Sequence, residues 1–463
     1  MRLPALLLVC ACGAASVDTL GSGGLSADGG GAGDGGSVST NGLSVGVHPD
    51  VGTVLVASWE QAEAADQVWL EYSFEDQTLT TPTRALGVGP QQEVLLGIPA
   101  FVAVDIVVHS TVGGVAGPDL GPVETHTDRL PSDLPEPSLL LLDPAGVGEE
   151  PWVLTSVNAG PNDYYGPCYT VVLNRDGRIV WYWEVSDDRL NLFTRVSRDG
   201  THLVVDATSY YVFDGVEPSI TRLNLDLSRV DELEVPGMGL TYDELPDGGF
   251  LIDEQESSYD FHLTRVQPDG SQERVWSCRP WMRDFNDDYW ACAVNTVLYS
   301  PERGTVLWST FQTSTVAEID LESGALLRWF GERPDGYDIS PADVRLDLQH
   351  YPNWTSEGTV LLTTHVRSDS ERQVMREFEL DDDSARATQV WSYEAEAGWY
   401  GEYSGDVARL ADGHTLIGYG TGGVIEELDQ DSEPVWVLDW DGHLTGHSTP
   451  VADLYALRAD ANE

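Results

Sequence analysis

Short apolar runs alternate with polar turns along almost the whole of this 463-residue chain, and helical periodicity is nearly absent. Within many runs the apolar positions fall on every second residue. That spacing predicts β-strands, because successive side chains of a strand point to opposite faces of the sheet. We therefore expect an all-β protein.

One pattern recurs from Leu139 onward, roughly every 50 residues. A turn with glycine leads into an apolar run, and the glycines of its copies are Gly200, Gly248, Gly304, Gly358 and Gly413. A second polar turn leads into a run that carries a tryptophan: Trp181, Trp276, Trp329, Trp391 or Trp436. Four strands per repeat predict a β-propeller over residues 139–457, with the tryptophans between neighbouring blades. The copy ITRLNLDLSRVDELEV lacks the tryptophan, which leaves five to seven blades open, with six preferred.

A separate strand pattern precedes the repeats, over residues 46–129. Its runs are TVLVASWEQ, QVWLEYSF, QEVLLGIP and VAVDIVVHST. They predict a small antiparallel β-sandwich that resembles a fibronectin type III module, with Trp59 and Trp69 in its core. Residues 130–138 are rich in proline and form the predicted linker to the propeller.

The first residues, MRLPALLLVCACGAAS, carry one arginine and an apolar run too short to cross a bilayer. This arrangement is typical of a secretory signal. The segment VCAC resembles a bacterial lipobox, which makes residues 1–12 a lipoprotein-type signal peptide and Cys12 the lipidated residue. The alternative is ordinary cleavage near Ala15. Residues 13–45, rich in Gly and Ser, then form a predicted flexible tether.

The formal net charge is −53, and all 24 basic residues are arginine. Such a surface repels nucleic acid and anionic membranes, so neither is an expected partner beyond a lipid anchor. It also repels an anionic substrate, unless arginines gather at the site. No histidine or cysteine pair has metal-ligand spacing, and no glycine-rich phosphate loop is present. We expect no metal and no cofactor.

Three cysteines follow the signal segment: Cys168, Cys278 and Cys292. An odd number leaves at least one without a partner in the chain. Cys278 and Cys292 are candidates for a short disulfide loop in an oxidising compartment.

Several segments occur in the order found in bacterial arylsulfotransferases. They are NTVLYSPERGTVLWSTFQTSTVAEIDLESGALLRWFG, LQHYPNWTSEGTVLLTTH, MREFELDDDSARATQVWSYE and YSGDVARLADGHTLIGYGTGGVIEELDQDSEPVWVL. The chain resembles that family over most of residues 150–455. The resemblance implies an exported six-bladed propeller, often preceded by a small β-domain. It also implies transfer of a sulfuryl group from a phenolic sulfate to a phenol through a sulfo-histidine, without a nucleotide donor.

The resemblance assigns the nucleophile to His350, in a Gln-His step before a strand, and keeps an asparagine at Asn295. Other positions depart from the family pattern. Ala293 stands where the family has a second histidine, and Phe311 stands where it has an arginine. The segment MGLTYDE replaces a His-Asp element. A neutral imidazole without cationic help is a slow sulfuryl acceptor.

Arginines near these positions are candidates for the missing cations: Arg279, Arg283 and Arg367. A guanidinium can bind sulfate through two parallel hydrogen bonds. The alternative is that each pairs with an acidic neighbour, as exposed arginines in an acid-rich chain usually do. His350 has an ordinary alternative too, as a hydrogen-bonding residue where a loop enters a strand.

Two functions therefore compete. The first is a sulfuryl transferase on the cell envelope, exported and facing the periplasm or on the outer membrane, acting through His350. The second is an inactive propeller that binds a sugar, a phenol or a peptide in a funnel. Three segments are candidates to line that funnel: NAGPNDYYGPCY, RPWMRDFNDDYW and EAGWYGEYSGD. An arginine cluster facing His350 favours the first function, and a neutral or acidic funnel favours the second. A purely structural surface lipoprotein is the third possibility.

Overall fold

The computed structural model describes residues 37–40, 42–160, 166–186, 189–208, 217–257, 259–286, 288, 290–367 and 371–458. The side chains of Ser186, Arg367 and Glu371 are not part of this description. The predicted signal peptide with Cys12, and the tether up to residue 36, also lie outside the described residues.

Two antiparallel sheets precede the propeller and enclose one apolar core. The first sheet has the order β1-β2-β3-β7, and the second has the order β10-β8-β4-β5, with β6 paired to β4 and β9 to β8. The strands are β1 (Val38–Thr40), β2 (Leu43–Val47), β3 (Leu55–Gln61), β4 (Ala65–Phe74), β5 (Gln77–Thr80), β6 (Arg84–Leu86), β7 (Gly89–Leu95), β8 (Ala103–Val112), β9 (Val115–Ala116) and β10 (Leu120–His126). The likeness to fibronectin type III stays a prediction.

Two details of the sandwich differ from the sequence prediction. Its first strand begins at Val38, so the last residues of the predicted tether belong to the sheet. Trp59 lies in the core as predicted. The prediction for Trp69 is wrong, because its side chain points to the opposite face of β4 and stacks on His109 with ring centroids 5.2 Å apart.

From Ser138 onward, the described residues form six sheets of mainly antiparallel strands, which confirms the six-bladed β-propeller. Blade 1 contains β12 (Trp152–Asn158), β13 (Cys168–Asn174) and β14 (Ile179–Ser186), and blade 2 contains β15 (Arg195–Val196), β16 (Leu203–Ala207), β17 (Ser219–Leu223) and β18 (Val230–Glu234). Blade 3 contains β19 (Met238–Glu244), β20 (Phe250–Gln255), β21 (Phe261–Val266) and β22 (Gln272–Ser277). Blade 4 contains β23 (Val294–Ser300), β24 (Thr305–Thr310), β25 (Thr315–Asp320) and β26 (Leu326–Gly331).

Blades 5 and 6 follow the same plan with additional outer strands. Blade 5 contains β27 (Asp338–Ser340), β28 (Asp347–Trp354), β29 (Val360–Arg367), β30 (Glu371–Asp381) and β31 (Arg386–Tyr393). Blade 6 contains β32 (Asp406–Arg409), β33 (Thr415–Gly418), β34 (Val424–Leu428) and β35 (Pro434–Asp439). The extra strand β27 runs parallel to β31 at the rim of blade 5.

Two strands from distant parts of the chain close the ring. β11 (Ser138–Leu142) pairs with β35 at the outer edge of blade 6. β36 (Thr449–Val451) pairs with β12 and supplies the inner strand of blade 1. Both ends of the propeller are therefore fastened by hydrogen bonds between strands.

The repeat read from the sequence maps onto equivalent places in the blades. The five glycines lie in the turn between the first and second strands of blades 2 to 6, all with positive φ. Gly358, for example, has φ 80°, which a residue with a side chain adopts only at a cost. The five tryptophans all lie on the fourth strand of their blades. Trp181 and Trp436 are fully buried, whereas the other three are half-buried.

The sandwich packs on the propeller through a shared apolar cluster. Val51, Val54 and Leu96 of the sandwich belong to the same cluster as Leu154 and Leu454 of the propeller. A short helical turn η2 (Tyr455–Leu457) adds a polar contact, since the Tyr455 hydroxyl lies 3.1 Å from that of Tyr72. Burial of both faces holds the sandwich against the propeller.

Within the described residues, helical structure occurs only in short segments outside the strands. α1 (Cys278–Met282) follows blade 3, and η1 (Gly420–Gly422) lies between β33 and β34. Cys278 and Cys292 form a disulfide that spans α1, while Cys168 is a buried thiol. Among the described helices, none is long and apolar enough to cross a bilayer.

Candidate functional site

A pocket of about 450 Å³ lies where the inner strands of all six blades converge. We call it the central pocket. Its lining includes Phe193 from blade 2, Gln255 from blade 3, Asn295 from blade 4, His350 from blade 5 and Asp406 from blade 6. Blade 1 contributes His447, which lies just before β36. Loops from every blade meeting at one end of the axis are the usual site of ligand binding in propellers.

Buried carboxylates fix the inner strands of two blades. Asp206 on β16 accepts hydrogen bonds from the backbone N–H groups of Leu192 and Phe193, at 3.0 and 2.8 Å. Asp253 on β20 accepts the N–H groups of Leu240 and Thr241 in the same way. Burial raises the pKa of Asp206 to about 6 and that of Asp253 to about 7. Asp253 also lines the central pocket.

In the Gln-His step of the sequence, Gln349 has a structural role and His350 lines the pocket. Gln349 is fully buried, and its Nε2 donates to the Ser309 hydroxyl at 3.0 Å, which joins blade 5 to blade 4. Leu348 and Tyr351, on either side, have positive φ values of 46° and 51°. Such conformations are costly for residues with side chains and cluster at functional sites.

His350 lines the central pocket and is held in one tautomer. Its Nδ1 lies 2.9 Å from the Leu348 carbonyl oxygen, so Nδ1–H donates and Nε2 keeps its lone pair. Burial, reinforced by the neighbouring His365, lowers the pKa of His350 to about 3. The two imidazole centroids are 5.7 Å apart. At neutral pH His350 is therefore an uncharged nitrogen base.

Asn295, the second predicted site residue, also lines the central pocket. Its Nδ2 donates to the Gln349 carbonyl at 2.7 Å, while its buried Oδ1 has no hydrogen-bond partner among the described residues. Gln255, which sequence reasoning missed, lines the same pocket, and its buried Nε2 also lacks a partner within the described part of the chain. A buried polar atom without a partner costs free energy unless a ligand or water satisfies it.

Two of the three predicted arginine partners, Arg279 and Arg283, do not line the pocket. Arg279 lies over the Tyr259 ring and 3.9 Å from Asp260, and Arg283 is exposed at the end of α1. Neither arginine lines the central pocket, so the geometry does not support their assignment to substrate binding, which stays a prediction. The side chain of Arg367 lies outside the described residues.

No arginine is among the described residues that line the pocket, and the chain has no lysine. Ala293 and Phe311 line it at the two positions where the resemblance implies a histidine and an arginine. Much of the remaining wall is aromatic, and the acidic groups are Asp253, Glu402 and Asp406. The lining is aromatic, amide-bearing and acidic.

Sequence reasoning missed a connected set of three groups in the wall of the pocket. His447 Nδ1 lies 2.7 Å from Asp406 Oδ2, and His447 Nε2 lies 2.9 Å from the Tyr351 hydroxyl. Gly446 makes this approach possible, since a Cβ there would lie 2.2 Å from the Ser156 hydroxyl oxygen. The three residues are far apart in the chain, so no local motif links them.

Of the candidate funnel segments, EAGWYGEYSGD contributes most to the lining, from Tyr400 to Asp406, and RPWMRDFNDDYW contributes Trp290. Part of NAGPNDYYGPCY lies outside the described residues. No cluster of three or more metal-ligating side chains occurs within the described part of the chain.

No protein-family model matches the chain. No curated protein matches it either. Solved structures that resemble it are β-propeller-like proteins. They include a protein of unknown function from Bacteroides caccae, with 18% identity, a TM-score of 0.42 and coverage of 64% of this chain and 94% of that one. TolB from Acinetobacter baumannii has 9% identity, a TM-score of 0.45 and coverage of 76% and 80%. Virginiamycin B lyase from Staphylococcus aureus has 12% identity, a TM-score of 0.38 and coverage of 65% and 88%. The six sheets of the chain itself define its fold.

Proposed function

We propose that the central pocket binds a small, uncharged or cationic ring compound, such as a phenol, and that it does not transfer sulfuryl groups. This proposal rests on the residues that line the pocket, which are aromatic side chains and three carboxylates, with no described arginine among them. Aromatic faces attract apolar rings and cations. Carboxylates in a partly desolvated pocket repel a sulfate ester.

Polar atoms in the wall support the same proposal. Gln255 Nε2 is a donor and Asn295 Oδ1 an acceptor, and both are buried without a partner among the described residues. A ligand hydroxyl that reaches them can form hydrogen bonds with both atoms. A volume of about 450 Å³ suits a molecule of one or two rings.

Sulfuryl transfer, as in the family that the chain resembles, is the second candidate. One observation favours it: His350 is uncharged, has a fixed tautomer and lines the pocket. The lining speaks against it, because three negative sulfuryl oxygens need cationic or hydrogen-bonding stabilisation in the transition state. Arg195, whose charge acts on Tyr351, is itself paired with Asp243 at 2.6 Å.

The deciding experiment compares 4-nitrophenol with 4-nitrophenyl sulfate, using tryptophan fluorescence, since Trp290 lines the pocket. We expect 4-nitrophenol to bind at least about tenfold more tightly than the sulfate ester. Gln255→Ala should weaken 4-nitrophenol binding by about tenfold, through loss of one buried hydrogen bond. Gln430→Ala, an exposed glutamine outside the pocket, is the matched control.

The same samples test the second candidate. Release of 4-nitrophenol from its sulfate is followed by absorbance, with and without phenol as acceptor. We expect no acceptor-dependent release. Release that requires the acceptor and disappears in His350→Ala would overturn the proposal and assign His350 as the nucleophile.

We also propose that the chain is exported and anchored by a lipid on Cys12. Its support is the lipobox-like VCAC segment, together with the disulfide between Cys278 and Cys292, which is typical of oxidising compartments. Cys12→Ser should move the protein from the membrane fraction to the soluble fraction of expressing cells. Unchanged fractionation would count against the anchor.

A further inference from the structure

Asp406, His447 and Tyr351 form a continuous hydrogen-bonded chain in the wall of the central pocket. Asp406 is buried on β32 and also accepts the Ser448 N–H at 3.1 Å. Tyr351 is buried on β28, and its ring stacks on His447 with centroids 4.4 Å apart. These contacts fix both the position and the ring plane of His447.

The direction of each hydrogen bond follows from the chemistry of the groups. Burial raises the pKa of the Tyr351 phenol, so the resting residue carries its proton. Asp406 accepts Nδ1–H from His447, which leaves a lone pair on Nε2. The Tyr351 hydroxyl donates to that lone pair, and its oxygen can accept a hydrogen bond in turn. The Thr449 hydroxyl also lies 3.1 Å from Nε2.

We propose that Tyr351 and His447, positioned by Asp406, form a proton relay that removes the proton from a hydroxyl group of the ligand in the central pocket. This inference rests on the proposed function, because it needs a hydroxyl-bearing ligand there. It adds general-base catalysis to a site otherwise described as a binding pocket.

The proton balance of the step is simple. The ligand hydroxyl gives its proton to the Tyr351 oxygen while the phenolic proton of Tyr351 moves to His447 Nε2. The products are a ligand oxyanion, a neutral Tyr351 and an imidazolium that is hydrogen-bonded to the Asp406 carboxylate. No metal, oxidant or further reactant is needed. General-base groups of this kind accelerate reactions by about 10²–10⁴-fold.

The charges that face the relay come from several blades. Arg195 and Arg198 act on Tyr351 in the direction that favours its phenolate, whereas Asp406 and Asp243 act in the opposite direction. Asp243 accepts from both arginines, at 2.6 and 2.9 Å, which leaves little free cationic charge. Glu402 adds negative charge to the pocket wall, and Asp253, whose pKa burial raises to about 7, adds negative charge above that pH. These carboxylates alone disfavour a ligand oxyanion.

The carboxylates disfavour a ligand oxyanion and the relay would produce one, so detection of the oxyanion tests the relay directly. The probe is 4-nitrophenol, whose phenolate absorbs at longer wavelength than the phenol, at a pH below the pKa of the free probe. We expect the bound probe to show the phenolate band in the wild-type chain. At equal occupancy the band should fall at least tenfold in Tyr351→Phe and about threefold in Asp406→Asn, which keeps an acceptor for His447 but loses the charge.

The controls separate this inference from the proposed function. 4-Nitroanisole has the same ring but no hydroxyl proton, and its affinity reports binding alone. Tyr299→Phe, on the inner strand of the next blade and outside the pocket, should keep the band. A neutral spectrum for the bound probe, or a band that survives Tyr351→Phe, would overturn the relay while binding stands. Failure of both compounds to bind would overturn the proposed function and the relay with it.

Discussion

The central pocket contains two histidines in contrasting environments, His350 in blade 5 and His447 next to blade 1. The Nδ1–H of His350 donates to a backbone carbonyl, and its nearest ring neighbour is another imidazole. The Nδ1–H of His447 donates to a buried carboxylate, and its Nε2 meets a tyrosine hydroxyl. A carbonyl cannot balance a positive charge, whereas a carboxylate can.

This difference separates two kinds of chemistry within one cavity. His350 stays uncharged, so it can attack or accept a hydrogen bond but does not hold a proton near neutral pH. His447 has the counter-charge that an imidazolium needs. The group that accepts the hydrogen bond from Nδ1 therefore determines which of the two histidines can take up a proton from a ligand.

The largest expected effect comes from removing each imidazole in turn. His447→Ala leaves the buried Asp406 carboxylate with the Ser448 N–H as its remaining donor. We expect a loss of about 3 kcal/mol in the free energy of unfolding. His350→Ala removes one bond to a backbone carbonyl and should cost about 1 kcal/mol. Urea unfolding of both variants measures the comparison, and equal losses would contradict it.

The acid sensitivity of the fold should depend on His350. Its pKa is about 3 in the folded chain, against 6.5 as the ordinary value. As pH falls below 6.5 the unfolded state binds a proton that the folded state does not, so stability is lost between pH 6.5 and pH 3. Between pH 7 and pH 4, His350→Gln should lose about 3 kcal/mol less stability than the wild type, as measured by urea unfolding at both pH values. His126→Gln, at an exposed histidine, is the control and should behave as the wild type.

A cation placed beside His350 should change which ligands the pocket accepts. Phe311 lines the pocket at the position where the resemblance noted in the sequence implies an arginine. Phe311→Arg should raise the affinity for 4-nitrophenyl sulfate by about tenfold, because a guanidinium pairs with sulfuryl oxygens. Phe311→Leu controls for loss of the ring. If the arginine variant binds the sulfate ester no better than the leucine variant, the lining charge does not set the preference.

The smallest expected effect concerns the pocket rim. Glu402 is exposed and lines the pocket mouth. Glu402→Gln should raise the affinity for the same sulfate ester about twofold at low salt, and the gain should vanish at high salt. A gain that is independent of salt would point to a packing change instead of a charge effect.

Much of the fold could be predicted from the sequence because each blade repeats the same local chemistry. The glycine turns and the tryptophans occupy fixed positions in a four-stranded unit, so their spacing predicted five to seven blades, with six preferred. Blade 2 has no tryptophan on β18, and strand pairing alone places it. Trp69 was misassigned because alternation along β4 does not reveal which face of the sheet is buried.

The site could be predicted only in part. His350 and Asn295 belong to recognisable segments, and both line the pocket. Asp406, His447 and Tyr351 come from three different blades, so only the closed ring brings them together. The structure does not bring Arg279 and Arg283 into the pocket. Arg279 has an acidic neighbour, Asp260, in an adjacent loop. Its closeness to Asn295 in the sequence did not show the direction in which its side chain points.

Ring closure has a kinetic consequence for the pocket. β36 pairs with β12 across most of the length of the propeller sequence, and contacts between such distant residues form late in folding. His447 lies two residues before β36, so the relay exists only once this pairing has formed. His350, held by its own strand and by blade 4, depends on contacts that are much closer in sequence. During refolding, the environment of His350 should therefore become native before that of His447.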